Sequence, residues 1–531
     1  MNAFTGFTIA ADTQIGRLTD LSGAGAQAIF DAAVLARLDG PAGEIGSYVV
    51  ARAAGRRLVA QVRALRLADD ETILADLDFV GEGETENGKL VRFRRGVSRM
   101  PMPGCALAAA SPDDLAAIFA ADDRPRIAIG TVHPQHQLPA TLGIDALLGR
   151  HFAILGSTGT GKSSTTALVL HRICDVAPEG HVLMIDPHGE YAASFKDRGA
   201  ILDAGNLAIP YWLLNLDEHA EVFLTARGPE RQADRDILAK CLLAARAKNR
   251  LAEGMTRLTV DAPIPYLLSD LGAVINAEMG KLDKAAGALA SYSRLKARIE
   301  EVKADPRYAF MFSGMLVADS MADLLQRLLR LPGEGKPISI VDLSAVPSEI
   351  TAVVVSLIAR LIFDHALWSR ELVQRPVLLV CEEAHRYIPA EGRTPARAVL
   401  ERIAKEGRKY GVALGLVTQR PSDLAEGVLS QCGTIVAMRL NNERDQAFVR
   451  AAVPEGARGL IETIPALRNR EAVVVGEGVA LPIRVAFDTL EPERLPASRD
   501  PVFSAAWTER GDERHRLDQI IRRWRAQGRP Y

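Results

Sequence analysis

The sequence is poor in aromatic residues, has no paired cysteines and carries no excess of either charge. Phe, Trp and Tyr together make up 5% of its 531 residues, so its cores must rest on Leu, Val, Ile and Ala. Five cysteines (Cys105, Cys174, Cys241, Cys381 and Cys432) are scattered without a CxxC pair. That argues against disulfides and a cysteine zinc site, and fits a reducing cytoplasm. Lys and Arg number 64 against 66 Asp and Glu, a formal net charge of -2. No global field draws in a polyanion, and any contact with nucleic acid must come from a local basic lining. The N-terminus, MNAFTGFTIAADTQ, lacks the basic and apolar regions of a secretory signal. The most apolar stretch, Thr351 to Trp368, is interrupted by Arg360, Asp364 and His365. Its unbroken part falls well short of the roughly 20 residues that a membrane span needs. The expectation is a soluble, cytoplasmic chain with no membrane contact.

The chain is too long for one core, which predicts two or three domains. Residues 1–142 read as β-rich. Short runs such as GSYVVAR and RLVAQVRAL are punctuated by glycine-containing turns, GEGETENG resembles a hairpin tip, and a small barrel is the economical way to close many short strands. SPDDLAAIFA opens like a capped helix. From 143 to 490 the pattern becomes α/β. HFAILG, HVLMID, ISIVDL, PVLLVCEE, VALGLVTQ and TIVAMRL are apolar throughout, as parallel strands with both faces covered must be. Within about 217–330 the strands give way to helical periodicity, DRDILAKCLLAARAKNRLAE for example, which predicts a helical insertion. Residues 491–531 form a Pro-rich, then charged extension ending in the helix-like RHRLDQIIRRWRAQ.

GSTGTGKS at 156–163 is a complete G-x-x-x-x-G-K-[ST] motif, with a strand before it and a helix-forming run after it. Glycines at 156, 159 and 161 let backbone N–H groups curl around phosphates at a helix N-terminus. Gly156, Ser157, Thr158, Gly159, Thr160, Gly161, Lys162, Ser163 and Ser164 are therefore assigned to nucleotide, ATP with Mg²⁺. Lys162 pairs the β- and γ-phosphates and the Ser163 hydroxyl ligates the metal. Hydrolysis also needs carboxylates, and CEEAH supplies two where an apolar strand ends. Glu382 is assigned to the metal through water and Glu383 to general-base or water-orienting work. Gln419, at the end of VALGLVTQ, is placed to sense the γ-phosphate or the lytic water. Asp186 ends another strand, and carboxylates there face the ligand crevice of an open α/β sheet. It stands either as an indirect Mg²⁺ partner or as a turn cap.

Taken together, DPHGEY, CEEAHRYIP, EGRKYGVALGLVTQRPSDL and AMRLNNERDQ, in this order behind the phosphate loop, resemble the HerA–FtsK superfamily, and HerA-like ATPases in particular. The resemblance covers almost the whole chain. It implies a RecA-like P-loop core with a helical insertion, preceded by a HAS-like β-barrel. It also implies a ring, hexameric in the family, that translocates double-stranded DNA with a partner nuclease of the NurA kind or with a defence effector. By the same resemblance Arg408 in EGRKYG is an arginine finger given to the neighbouring subunit, and Arg150 in GRHFAILG acts in cis. Arg402, Lys405 and Lys409 share the segment of Arg408. Two other readings stand beside the motor: a pump of the FtsK or conjugation type, and an ATP-gated scaffold for an effector.

Three tempting features are set aside. SGAGAQA at 22–28 mimics a dinucleotide fingerprint but follows no apolar strand, so it reads as a loop. His133 and His136 in HPQHQ have no third ligand nearby. Lys89, Arg92, Arg94, Arg95 and Arg99 form a run of cations without an acid between them. This run fits a DNA or partner surface and a solvated strand face equally well.

Overall fold

The fold is described from a computed structural model, which covers residues 13–497 apart from 23–24, 39–41, 54, 70, 87–88, 120–123, 136–137, 282–285, 314–316, 373–374 and 455–456, together with 503–508 and 513–526. The chain forms two compact units, one of residues 1–176 with 414–491 and the other of 177–413 with 492–531.

The first unit begins with β1 (Gln14–Leu21), β2 (Gly25–Asp31), β3 (Tyr48–Ala53), β4 (Arg56–Leu67), β5 (Thr72–Glu86), β6 (Lys89–Arg95) and β7 (Ala106–Ala109). They run in the order β2-β1-β7-β3-β4-β5-β6, and β2 pairs again with β5. Six antiparallel strands thus close into the expected small barrel, with β6 hanging from β5. Closure removes the exposed edges of the ring strands. Strand alternation sends Ile15, Leu18, Ala26, Ala28, Phe30, Val49, Ala51, Leu58, Ala60, Ala75 and Leu77 into one core. SGAGAQA is not simply a loop, since from Gly25 it is β2. Gly25 pairs opposite Asp78, and a Cβ there would lie 2.5 Å from the Leu77 carbonyl oxygen. Two of its residues, 23–24, lie outside the described residues. Ser111 caps the helix Pro112–Ile118 in the predicted way, its hydroxyl accepting from Asp114 N and the Asp114 carboxylate accepting from Ser111 N.

The cationic run on β6 is largely occupied. Arg92, held at a left-handed φ of 52° that breaks the alternation, pairs with Glu84 at 2.8 Å and Glu86 at 2.7 Å. Lys89 meets Asp113 at 2.8 Å. The Arg95 guanidinium donates to the carbonyls of Gly476, Val479 and Ala480. The tip of the β5–β6 hairpin, and His136, lie outside the described residues.

The α/β strands, in chain order, are β8 (Arg126–His133), β9 (Pro139–Gly143), β10 (Phe152–Leu155), β11 (His181–Asp186), β12 (Gly199–Asp203), β13 (Ile338–Asp342), β14 (Val377–Cys381), β15 (Val412–Thr418), β16 (Thr434–Met438), β17 (Glu471–Gly476) and β18 (Ile483–Phe487). In the first unit the order is β15-β10-β16-β17-β18-β8-β9. β10 is parallel to both β15 and β16, and the pairings from β16 to β9 are antiparallel. The sheet is therefore mixed. It recruits β8 and β9 from before residue 143, because alternation there gives a half-covered antiparallel hairpin rather than a continuous apolar run.

In the second unit β12-β13-β11-β14 are all parallel. Between β12 and β13 the chain passes through helices including Leu216–Phe223, Pro229–Arg246, Leu268–Gly280, Ala286–Ala304 and Met321–Leu329. The apolar run becomes the helix Ser348–Trp368. It has the length and hydropathy of a membrane span, but most of it is buried inside the unit. Its charged residue is used there: Arg360 donates to both oxygens of the fully buried Glu218, at 3.1 and 2.8 Å, and to Leu213 O at 2.6 Å. The Ser356 hydroxyl and Asn215 N complete the shell of Glu218. Next to it the buried His219 places Nδ1 2.8 Å from Asn215 O and Nε2 2.8 Å from the Tyr266 hydroxyl. Burial first, then the Arg246 guanidinium, pushes its pKa down to about 3.

Two outcomes follow for stability. Arg360→Met leaves Glu218 charged and buried without its cation, and should cost about 3–5 kcal/mol in urea unfolding; adding Glu218→Gln should recover part of that. His219 is neutral when folded, so its contribution is full above its ordinary pKa of 6.5 and is lost as pH falls toward 3. Between pH 6.5 and 5 wild type should therefore lose stability faster than His219→Gln, by about 1 kcal/mol per pH unit. Equal slopes in the two proteins would show that His219 does not titrate on unfolding.

Candidate nucleotide site

The residues predicted to handle nucleotide fall in both compact units, and each set is described within its own. In the first, β10 ends at Leu155 and the chain turns through 156–161 into the helix Lys162–Val176. Gly159 and Gly161 have φ of +79° and +95°, and a Cβ on Gly156 would lie 2.8 Å from Met438 Cβ. A side chain at any of the three would deform the turn. The first helical hydrogen bond of this turn runs from Thr165 N to Gly161 O, at 2.9 Å. The N–H groups of Lys162, Ser163 and Ser164 precede it and have no intrahelical acceptor, which makes an anion cradle. Lys162 is 8% exposed, so its side chain is packed into this corner.

The loop is braced from outside. Ser157 N donates to Arg439 O at 2.9 Å, Arg470 N to Thr160 O at 2.8 Å, and Asn441 N to the Ser157 hydroxyl at 3.2 Å. Gln419, just beyond β15, accepts through Oε1 from the Thr158 hydroxyl. The structure thus brings Gln419 against the phosphate loop.

Arg150 is elsewhere. It caps the helix Ile144–Gly149 before β10 begins, while the loop follows where β10 ends. At about 3.3 Å per extended residue, the whole strand separates its backbone from the cradle, more than an arginine side chain spans. The strand thus sets Arg150 apart from the loop within its own chain. Its guanidinium pairs with Glu477 at 2.9 Å, both half exposed.

In the second unit, the C-terminal ends of the parallel strands carry the carboxylates. Asp186, fully buried at the end of β11, accepts from His188 N, Gly189 N and Tyr191 N at 3.1, 2.8 and 2.9 Å. It is a turn cap, and burial raises its pKa against the bonds from Tyr191 and His188. A Cβ on Gly189, at φ +69°, would lie 2.8 Å from Asp342 Oδ2, so HGEY is a turn built around two strand-end carboxylates. The turn delivers Tyr191, whose buried hydroxyl donates to Glu382 Oε2 at 2.8 Å.

Glu383 follows at φ 52°, a left-handed conformation strained for a glutamate. It is 6% exposed. His385 Nδ1 lies 3.2 Å from its Oε2, yet not in hydrogen-bonding geometry, and that oxygen has no hydrogen bond among the described residues. A buried carboxylate oxygen without a donor is uncommon in a native fold. It is a competent acceptor for a proton or a water.

The 3₁₀ turn Gly407–Tyr410 presents Arg408 on the surface, where its side chain has no hydrogen-bond or ion-pair partner among the described residues. Arg402 is engaged at home: its guanidinium lies 4.5 Å from the Phe363 ring centre and 3.5 Å from Glu406. Sequence reasoning missed Tyr191, Arg439 and Arg470. Tyr191 was within sight as the last letter of HGEY. Arg439 lies inside AMRLNNERDQ with no role read for it there, Arg470 lies in none of the motifs, and both enter through backbone contacts that only the fold creates.

Comparison with known proteins agrees with this picture. Residues 127–362 match the family described as Helicase HerA, central domain. The chain is similar to the DNA double-strand break repair helicase HerA of Pyrococcus furiosus, 27% identical over 458 residues, which cover 79% of this chain and 78% of that protein. It is also similar to the probable DNA double-strand break repair helicase HerA of Methanocaldococcus jannaschii, 27% identical over 481 residues, covering 84% and 91%. Among solved structures, VirB4 of Thermoanaerobacter pseudethanolicus has a related fold, with TM-score 0.50, 14% identity and coverage of 70% of this chain and 98% of that one. With the phosphate loop, the EEAH carboxylates and the barrel all in place along a match of this length, the chain is a distant homologue of the HerA helicases.

Proposed function

We propose that this chain hydrolyses ATP to drive movement along double-stranded DNA, as a ring of six copies working with a nuclease of the NurA kind or a defence effector. The observation that carries the hydrolytic part is Glu383. A strained backbone, a buried carboxylate and an oxygen left without a donor are costly, and such strain is characteristic of catalytic positions. A protein that only held ATP would gain nothing from it. The DNA part is supported by the two relatives, whose names describe double-strand break repair helicases.

In this reading the phosphates rest on the N–H groups of 156–164, with Lys162 pairing the β- and γ-oxygens. Among the described residues no cluster of three or more His, Cys, Asp or Glu makes a self-contained metal site. That fits Mg²⁺, which takes most of its ligands from phosphate and water. Ser163 would hold it, with Glu382 acting through water while Tyr191 fixes that carboxylate, and the ion would neutralise charge on the β- and γ-oxygens. Asp186, saturated by its turn, would shape the crevice without touching the metal. Glu383 takes a proton from the attacking water, and Gln419, moving from Thr158, orients that water or the γ-phosphate. Arg408, exposed and unengaged, is offered to a neighbouring copy. Arg150, for which the resemblance implies a role in cis, is paired with Glu477 at the other end of β10 from the loop.

Glu383→Gln should bind ATP within about twofold of wild type and hydrolyse it at least about 10²-fold more slowly. Single-turnover hydrolysis, with and without linear duplex DNA, checks this. Near-normal turnover would move the base away from Glu383. Wild-type turnover that DNA does not stimulate would favour the ATP-gated scaffold. Arg408→Ala should bind ATP normally and turn it over slowly. Co-expressed with Lys162→Ala, it should regain activity above either parent, because one intact phosphate loop can then sit beside one intact finger. Tagged copies establish that mixed rings form. If recovery occurs with Arg402→Ala in place of Arg408→Ala and not with Arg408→Ala itself, the finger is Arg402.

A further inference from the structure

The segment Leu467–Arg470 has no part in the roles above, yet it is tied to the phosphate loop at both shoulders. Arg439 receives Ser157 N on its carbonyl and spends its guanidinium on Leu467 O at 3.1 Å and Asn469 Oδ1 at 2.8 Å. The next residue, Arg470, returns to the loop by donating its N–H to Thr160 O at 2.8 Å, while its own carbonyl accepts from Phe487 N at 2.9 Å. To make both bonds it adopts φ 63°, a left-handed conformation that a long L side chain rarely takes.

The side chain then crosses the loop. A Cβ on Gly161 would lie 2.9 Å from Arg470 Cγ, so the aliphatic stem runs over the glycine at which the phosphate-binding helix starts. Beyond it the exposed guanidinium makes one hydrogen bond, to the Thr489 hydroxyl, and pairs with no carboxylate among the described residues. A guanidinium has five N–H donors, so most are left for another acceptor. Arg439 differs in that its guanidinium is spent bracing the 467–469 segment.

Resting on the reading of 156–164 as a nucleotide site, we infer that Arg470 binds the nucleotide held by its own chain, at the α- and β-phosphates. In phosphate loops the backbone N–H groups cradle the α- and β-phosphates while the lysine reaches the β- and γ-phosphates. The stem of Arg470 lies against Gly161, so its guanidinium starts from the edge of that cradle. Its planar fork suits a diphosphate, and its contact is the same whether the γ-phosphate is present or gone. It serves binding in cis rather than the chemical step.

The backbone conformation supplies the test. Glycine adopts φ 63° without strain and asparagine tolerates it, so Arg470→Gly and Arg470→Asn keep the strut to Thr160 and remove only the guanidinium. Calorimetric titration of full-length protein with Mg·ADP and with Mg·ATP should show both variants binding each nucleotide about tenfold more weakly, the loss of one charge-assisted contact. The kcat at saturating ATP should stay within about twofold. Lys162→Ala is titrated alongside. If it loses affinity while both Arg470 variants bind like wild type, Arg470 is a backbone strut and the inference fails. Weakening confined to ATP would place the residue at the γ-phosphate and overturn the assignment to the diphosphate. If Lys162→Ala itself binds like wild type, the reading of the phosphate loop falls instead. Should Arg470→Gly melt at a lower temperature than wild type, Arg470→Asn decides.

Discussion

A phosphate held by backbone N–H groups requires the chain to arrive on a strand, fold back within six residues and leave as a helix. That constraint organises the first unit. It demands positive φ at Gly159 and Gly161 and leaves no room for a side chain at Gly156. A turn so stripped of side chains has little packing of its own, and it is held by hydrogen bonds to Thr418, Arg439 and Arg470. Those partners stand at the end of β15, just past β16 and just before β17. The sheet order that places these strands around β10 is therefore also what gives the loop its shape.

The second unit meets a related demand with carboxylates. Strand-end acids in a parallel sheet face one crevice, and leaving several of them charged and close together is unfavourable unless each has donors. Asp186 is supplied by three N–H groups of its own turn and Glu382 by Tyr191. Glu383 is the exception, with an oxygen left open. Two adjacent glutamates in one motif so acquire different chemistry, one held in place and one available.

The parts most legible in the sequence were those whose physics is local. The glycine spacing of 156–163 and the runs of β10, β11, β13, β14, β15 and β16, buried on both faces, could be read directly. So could the capping signal at Ser111 and the short alternating strands that imply a barrel. Features set by distant partners were harder. β12 pairs with β13 more than a hundred residues later, and β18 with β8 far back in the chain. Gly25–Asp31 became a strand because β5 comes back to meet it. The cis role of Arg150 is what the resemblance implies, and a strand that carries its two ends apart stands between that residue and the phosphate loop. The charges within Ser348–Trp368 were read as interruptions. Arg360 instead has a buried counter-ion more than a hundred residues away.

The barrel interior buries six alanines beside leucine, valine, isoleucine and one phenylalanine. Six strands enclose little space to begin with, and in small barrels side chains fill it. Among the described residues these apolar side chains pack into one cluster inside the ring. Whatever it contributes to the molecule it contributes as a solid body, through the loops and side chains on its outer surface.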